Sequence, residues 1–376
     1  MMVTSQARTL ENEEQLRIPA SMTAVVYHGK NDMRLETVPV PVIGPGELLV
    51  RVHTCGICGT DLKKISIGSH SAPRIFGHET AGIIARVGEG VTAFQPGERV
   101  LFFHHMPCRN CFYCRNKVFA QCPTYKKVGC TAGFEPSGGG FSEFVKVSDW
   151  IVQLGGVVRI PEGYSFERAS FVEPVNTCIK AIYTLALRPQ ETVLVIGQGP
   201  IGIILALLAQ RKGAQVMTSD LFPQRLTIAK SLGLKSGIDA SAVDTVKAVH
   251  KVTDGRGADV VILAVGGESL IRTAIDAARP GGRVMLFAQT ARGEAIIDPA
   301  AICVDEKTLL GSYSASVDLQ EETARYVFSA EVDFERLISH RYPLTQAVEA
   351  LNLAAHPQPD TLKLVIQPGS TWKDKD

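Results

Sequence analysis

Residues 191–202 read ETVLVIGQGPIG. The run TVLVI has the length and β-branched content of a buried strand. Gly197-x-Gly199-x-x-Gly202 follows it and opens an apolar stretch of helical length that runs through Lys212. A second strand, QVMTS, ends in Asp220, about twenty residues beyond the glycines. A lone glycine pattern is weak, and a turn in another α/β protein is its competitor. Here the strand, the helix and the acid all stand in register with it. The glycines allow a tight turn, close approach of a pyrophosphate and tight helix–strand packing, and a helix N-terminus attracts phosphate. Asp220 is suited to accept both ribose hydroxyls and to repel a 2′-phosphate, which predicts NAD rather than NADP. Gly197, Gly199, Pro200, Ile201, Gly202, Asp220 and Arg225 are the candidate cofactor contacts.

The alternation continues downstream. KSGID, DVVILAVGG, RVMLFAQ and LLGSYS read as strands, with helices over 241–252 and 268–279 between them. Six strands with interposed helices predict a doubly wound parallel sheet. The tail, 321–376, predicts two helices and a last strand, LKLVI, that folds back onto the first domain.

Upstream the texture differs. TAVVYH, LLVRVH, TAGIIARV and RVLFF are short strands broken by Gly and Pro, which predicts a β-barrel-like domain. Residues 166–187 read as helical after the Glu173-Pro174 break. Seven of the nine cysteines fall between Cys55 and Cys130. Cys108, Cys111, Cys114 and Cys122 follow C-x2-C-x2-C-x7-C. Four thiolates so spaced close a tetrahedron around one structural zinc, with an iron–sulfur cluster as the competing reading. In CGICGTDLKKISIGSHSAPRIFGHE (55–79), Cys58 and the pair His78-Glu79 flank a loop containing Gly68 and Pro73. Thiolate, imidazole and carboxylate suit a catalytic zinc that keeps an open position. A buried small Cys58 and a satisfied core His78 are the alternative on this stretch alone.

Bulk properties exclude other classes. The chain has 376 residues, net charge +1, 45% hydrophobic and 20% charged residues. No basic excess calls for nucleic acid, and no apolar run is long enough to span a bilayer. Residues 1–21 read as a loose leader without a signal peptide's apolar core. An odd cysteine count without a secretion signal predicts reduced thiols and a cytoplasmic protein.

Together CGICGTD (55–61), GHE (77–79), the cysteine run (108–122), EP (173–174), GQGPIG (197–202) and Asp220 carry a resemblance over about 22–367. The chain resembles the zinc-dependent medium-chain alcohol dehydrogenases, in the polyol and sorbitol dehydrogenase branch with its threonine dehydrogenase relatives. The resemblance implies a GroES-like catalytic domain (22–172), a Rossmann domain (173–315) and a return to the catalytic domain (316–376), with the active site in the cleft between the domains. It implies Cys58 and His78 as catalytic zinc ligands, and Glu173 as a further ligand, direct or through water. Glu79 would sit behind the metal or exchange onto it. Cys108, Cys111, Cys114 and Cys122 would hold the structural zinc, making two zinc ions per chain. Thr60 matches the residue that hydrogen-bonds the substrate oxygen. Lys63 replaces the relay histidine common in the family, so the proton path beyond Thr60 stays open. His70 and His104-His105 stand as substrate-facing or packing groups.

The implied chemistry is NAD-dependent hydride transfer between a secondary alcohol, polyol or sugar-like, and its ketone. Threonine or a simple secondary alcohol is the alternative substrate. A silent dinucleotide-binding sensor is the alternative of another class. The implied partner is a small molecule, with neither nucleic acid nor membrane, and the implied assembly is a homodimer or homotetramer.

Overall fold

The computed structural model describes residues 18–125, 138–288 and 293–371. The leader expected over 1–21 lies, through residue 17, outside the described residues. Two compact units divide the chain. One holds 1–173, 334–357 and 363–376; the other holds 174–333 and 358–362.

The first unit begins with β1 (Ser21–Gly29), β2 (Asp32–Pro39), β3 (Leu48–Gly56), α1 (Gly59–Ile67) and β4 (Arg74–Ile75). It continues with β5 (Glu79–Val87), β6 (Arg99–Phe102), β7 (Phe144–Val147) and β8 (Val157–Arg159). Val25, Val50, Val52, Ile84, Val100 and Val145 are fully buried and form its core. Helix α2 (Val172–Leu185) starts at the boundary between units, with Glu173 and Pro174 in its first turn. Proline costs no hydrogen bond there, because the first-turn N–H groups lack intrahelical partners.

The second unit carries β9 (Thr192–Ile196), α3 (Pro200–Arg211), β10 (Gln215–Asp220) and β11 (Ser236–Asp239). It also carries α4 (Thr245–Val252), β12 (Ala258–Leu263), α5 (Glu268–Ala277), β13 (Ala278–Leu286), β14 (Thr308–Gly311) and α6 (Gln320–Val327). The six strands run in the order β11-β10-β9-β12-β13-β14, all parallel. That is the doubly wound order, with its switch point beside β9. Every residue of β9 and of β12 is buried. Coverage of both faces explains why these strands read as continuous apolar runs. Leu194, Val261, Leu263 and Val284 pack with Val249 of α4 and with Ile271, Ala274 and Ile275 of α5.

The return to the first unit begins at Phe334, whereas the sequence placed it at 316. Helix α6, the first of the tail's two expected helices, stays with the second unit. There Arg211 pairs with Glu331 at 2.7 Å and its guanidinium stacks 4.8 Å over Tyr326. The returning chain supplies β15 (Ile338–Pro343), α7 (Ala347–Ala355) and β16 (Lys363–Gln367). The order β15-β16-β3-β5-β6-β8, with β7 also on β3, completes a seven-stranded sheet. β15 was not expected; ISHRYP lacks apolar alternation and ends in proline.

Candidate active site

Helix α1 is the local element on which the site turns. The sequence reading treated 59–77 as loop, yet Gly59–Ile67 is helical, with Cys58 as its N-cap and Gly68 closing it at φ 74°. The Thr60 N–H points at Cys58 Sγ at 3.5 Å. The Cys58 N–H donates to Asp61 Oδ2 at 3.4 Å, and His78 Nδ1 lies 3.1 Å from Asp61 Oδ1. One fully buried carboxylate therefore ties the thiol-bearing cap to the imidazole. With Nδ1–H donated to Asp61, His78 keeps its Nε2 lone pair for a metal, which is how carboxylates orient ligating histidines. Gly77 precedes His78 at φ +99°, and a Cβ there would lie 2.7 Å from Phe141 and 2.8 Å from Cys55 Sγ. Only glycine lets the chain turn there and deliver His78.

A second tie comes from far along the chain. β3 is flanked at its end by β5 and β16, with Gly56 opposite both Glu79 and Val365. Lys363, at the start of β16, pairs with Glu79 Oε2 and donates to Ile57 O at 3.0 Å. Both charged groups are buried. Burial opposes the Lys363 charge, but Glu79 and Cys58 outweigh it and raise the Lys363 pKa. Burial likewise opposes charge on His78, and Asp61 and Cys58 raise its pKa well above the usual value. Burial pushes Glu173 up to about 7, with His78 working against it and Glu79 adding to it.

These side chains form two triads that share His78. Ligand atoms of Cys58, His78 and Glu79 lie within 4.8 Å of one another, and so do those of His78, His104 and Glu173. The donors are a thiol, imidazoles and carboxylates, converging with few internal partners, and this set fits zinc. His78, Glu79, His104 and Glu173 are each 8% exposed or less. Thr60 and Lys63 ride on α1, both half-buried, and burial lowers the Lys63 pKa. His70 stays outside both triads; it lies 2.9 Å from Ser69 Oγ and edge-on to Phe76. Cys55, also outside them, is buried against Thr80 Oγ1 at 3.4 Å, and burial drives its thiol pKa well up. The structure adds Asp61 and Lys363 to the residues the sequence suggested. Asp61 stood in view in CGTD, and its N3 position in a capping box was the signal for it.

Replacing Asp61 with Asn is expected to weaken metal binding at this site by about 10–100-fold, as loss of an orienting carboxylate does. Competition with a chromophoric chelator reads this directly.

The four lobe cysteines gather independently. Their sulfurs lie within 4.8 Å of one another, with Cys108–Cys114 at 3.9 Å and Cys111–Cys114 at 3.5 Å. No internal position remains open, which fits a closed structural zinc. Burial and the neighbouring sulfurs push the Cys114 thiol up to about 12. Burial also opposes thiolate at Cys122, but backbone N–H groups of Cys108, Thr124 and Tyr125 bring it down to about 6.

In the second unit, Gly197 opens the turn at φ +92° and Gly199 caps α3. A Cβ at Gly202 would lie 1.8 Å from Gly197 O, whereas one at Gly199 would meet nothing within 4 Å. The turn therefore needs Gly202 for itself, while the space over Gly199 suits an approaching phosphate. Asp220 accepts from the Gln198 N–H at 2.5 Å and from the Phe222 N–H at 2.8 Å. Each carboxylate oxygen keeps a further lone pair for a ribose hydroxyl. Arg225 Nη1 is 3.9 Å from Asp220 and its Nη2 donates to Thr361 O at 3.0 Å.

Residues 44–160 match the model of the alcohol dehydrogenase GroES-like domain, and 200–329 match that of the zinc-binding dehydrogenases. The chain belongs to the zinc-dependent medium-chain alcohol dehydrogenase family. Within it the similarity runs to the sorbitol dehydrogenase-like branch. The sorbitol dehydrogenase of Bombyx mori is 30% identical over 344 residues, covering 88% of this chain and 94% of that protein. The Bacillus subtilis (strain 168) sorbitol dehydrogenase is 29% identical over 357 residues, covering 93% and 98%. A zinc-binding dehydrogenase from Sinorhizobium meliloti 1021, solved bound to NADP, superposes with a TM-score of 0.83 at 27% identity, covering 93% of this chain and 100% of that one. Among the described residues, no helix is long and apolar enough to cross a membrane.

Proposed function

We propose that this protein is an NAD- and zinc-dependent dehydrogenase that interconverts a secondary hydroxyl, on a polyol or sugar-like substrate, and its ketone. The observation that carries the reading is the meeting of Cys58 with His78 and Glu79, and of His78 with His104 and Glu173, with Asp61 on His78 and Lys363 on Glu79. Sorbitol is the substrate named for the sequence relatives, and it supplies the polyol class. Zinc bound there supplies a Lewis acid that lowers a hydroxyl pKa toward neutrality, and the nicotinamide supplies the hydride acceptor.

The chain's own groups do the rest. Cys58, His78 and Glu173 hold the metal. Asp61 fixes the His78 ring, and Lys363 stands as the counter-charge beside Glu79. Thr60, in the first turn of α1, accepts the hydroxyl proton and passes it to the ribose hydroxyls and water, since Lys63 stands where the family often has a relay histidine. Gly197, Gly199, Pro200, Ile201 and Gly202 cradle the pyrophosphate, with Asp220 and Arg225 at the ribose. The four lobe cysteines hold the second zinc. The protein works in the cytoplasm as a homodimer or homotetramer.

NADH formation at 340 nm, followed over a panel of polyols, sugars, threonine and simple secondary alcohols with and without a chelator, tests this reading. Chelator-sensitive turnover on polyols is expected; turnover confined to threonine or simple alcohols would overturn the substrate class. Asp220→Asn removes the charge that rejects a 2′-phosphate. Its ratio of NADP to NAD efficiency is expected to rise about tenfold or more, because a like-charge contact costs several kcal/mol. An unchanged ratio in paired kcat/KM measurements would remove Asp220 from cofactor selection.

A further inference from the structure

His104 is the buried group that the proposed chemistry leaves unused. It follows β6, is 6% exposed, and among the described residues its Nδ1 has no hydrogen-bond partner. Its ring stands 4.5 Å from that of His78 and 4.0 Å from that of His105. Burial first, and then the neighbouring His105 and His78, hold its pKa well below the usual value. The ring belongs to a triangle: one nitrogen of His104, one of His78 and one oxygen of Glu173 lie within 4.8 Å of one another. Two nitrogen or oxygen ligands of one tetrahedral zinc, at bonds of about 2.0–2.1 Å, lie about 3.4 Å apart. Closing the triangle onto an ion needs only side-chain adjustment.

We propose that His104 is itself a ligand of the catalytic metal, its imidazole joining that of His78 and the carboxylate of Glu173. Glu79 Oε2 is engaged by Lys363. This rests on the zinc reading of the site given above.

The test uses the full chain loaded with Co(II) at both sites, as wild type and as His104→Phe, which keeps an aromatic ring but removes the nitrogen. The four-cysteine contribution cancels in the difference spectrum. A change in the d–d bands is expected, together with a loss of affinity at the weaker site of at least about tenfold in chelator competition. Two ions bound in both proteins, with identical bands and affinity, would overturn the role of His104 and leave the zinc reading standing. A single ion in the wild type would overturn both. Should His104→Phe fail to fold, 113Cd-loaded wild type decides: correlations from the catalytic cadmium to the ring protons of two histidines are expected, and one histidine alone refutes the proposal.

Discussion

On the proposed zinc reading, replacing Cys58 with serine is expected to cut kcat/KM roughly a thousandfold and to lower the zinc content from two ions per chain to one. The metal contributes several kcal/mol of transition-state charge stabilisation. At 1.36 kcal/mol per decade, loss of about 4 kcal/mol costs roughly a thousandfold in kcat/KM. The fold should survive. Cys58 caps α1 at a half-buried position, and the Asp61–His78 contact does not need the sulfur. Metal analysis, circular dichroism and kinetics on one preparation separate these effects. A variant that keeps both zinc ions and full activity would remove Cys58 from the site.

The second large effect concerns the glycine turn. Gly202→Ala places a methyl where Gly197 O already stands, 1.8 Å away, and both partners are backbone. Neither can swing aside, so the β9–α3 turn must open. Overpacking of this kind costs about 1–3 kcal/mol, occasionally more. NADH binding, read by fluorescence titration, is expected to be lost. The metal content should not change, because every proposed ligand lies in the other unit. Gly199→Ala is the informative contrast. Its added Cβ meets nothing within 4 Å, so the fold should hold while cofactor affinity falls. Equal stability losses in the two variants would contradict the distinction.

These contrasts also show what was legible in the sequence. β9 and β12 were readable because strands buried on both faces must be apolar throughout. The cysteine lobe was readable because thiolate spacing is nearly a coordinate. α1 was not: GTDLKKISI carries five polar or charged residues in nine and looks like loop. What makes it helical is its cap and the pinning of Asp61 by His78, a contact across 17 residues of chain. Lys363 was unreadable for a related reason. LKLVI reads as a strand with one solvated lysine, and only the pairing of β16 with β3 brings that ammonium to Glu79. The late return at Phe334 was missed because α6 carries the same amphipathic texture whichever unit it joins.

The contact between Lys363 and Ile57 spans 306 residues, and it sets a clock on the ribosome. At roughly 5–20 residues per second, on the order of 15–60 s separate the emergence of the first strand edge from that of its ammonium partner. Throughout that interval Glu79 has no counter-charge to be buried with. The nascent barrel must therefore leave this corner hydrated until β16 pairs with β3.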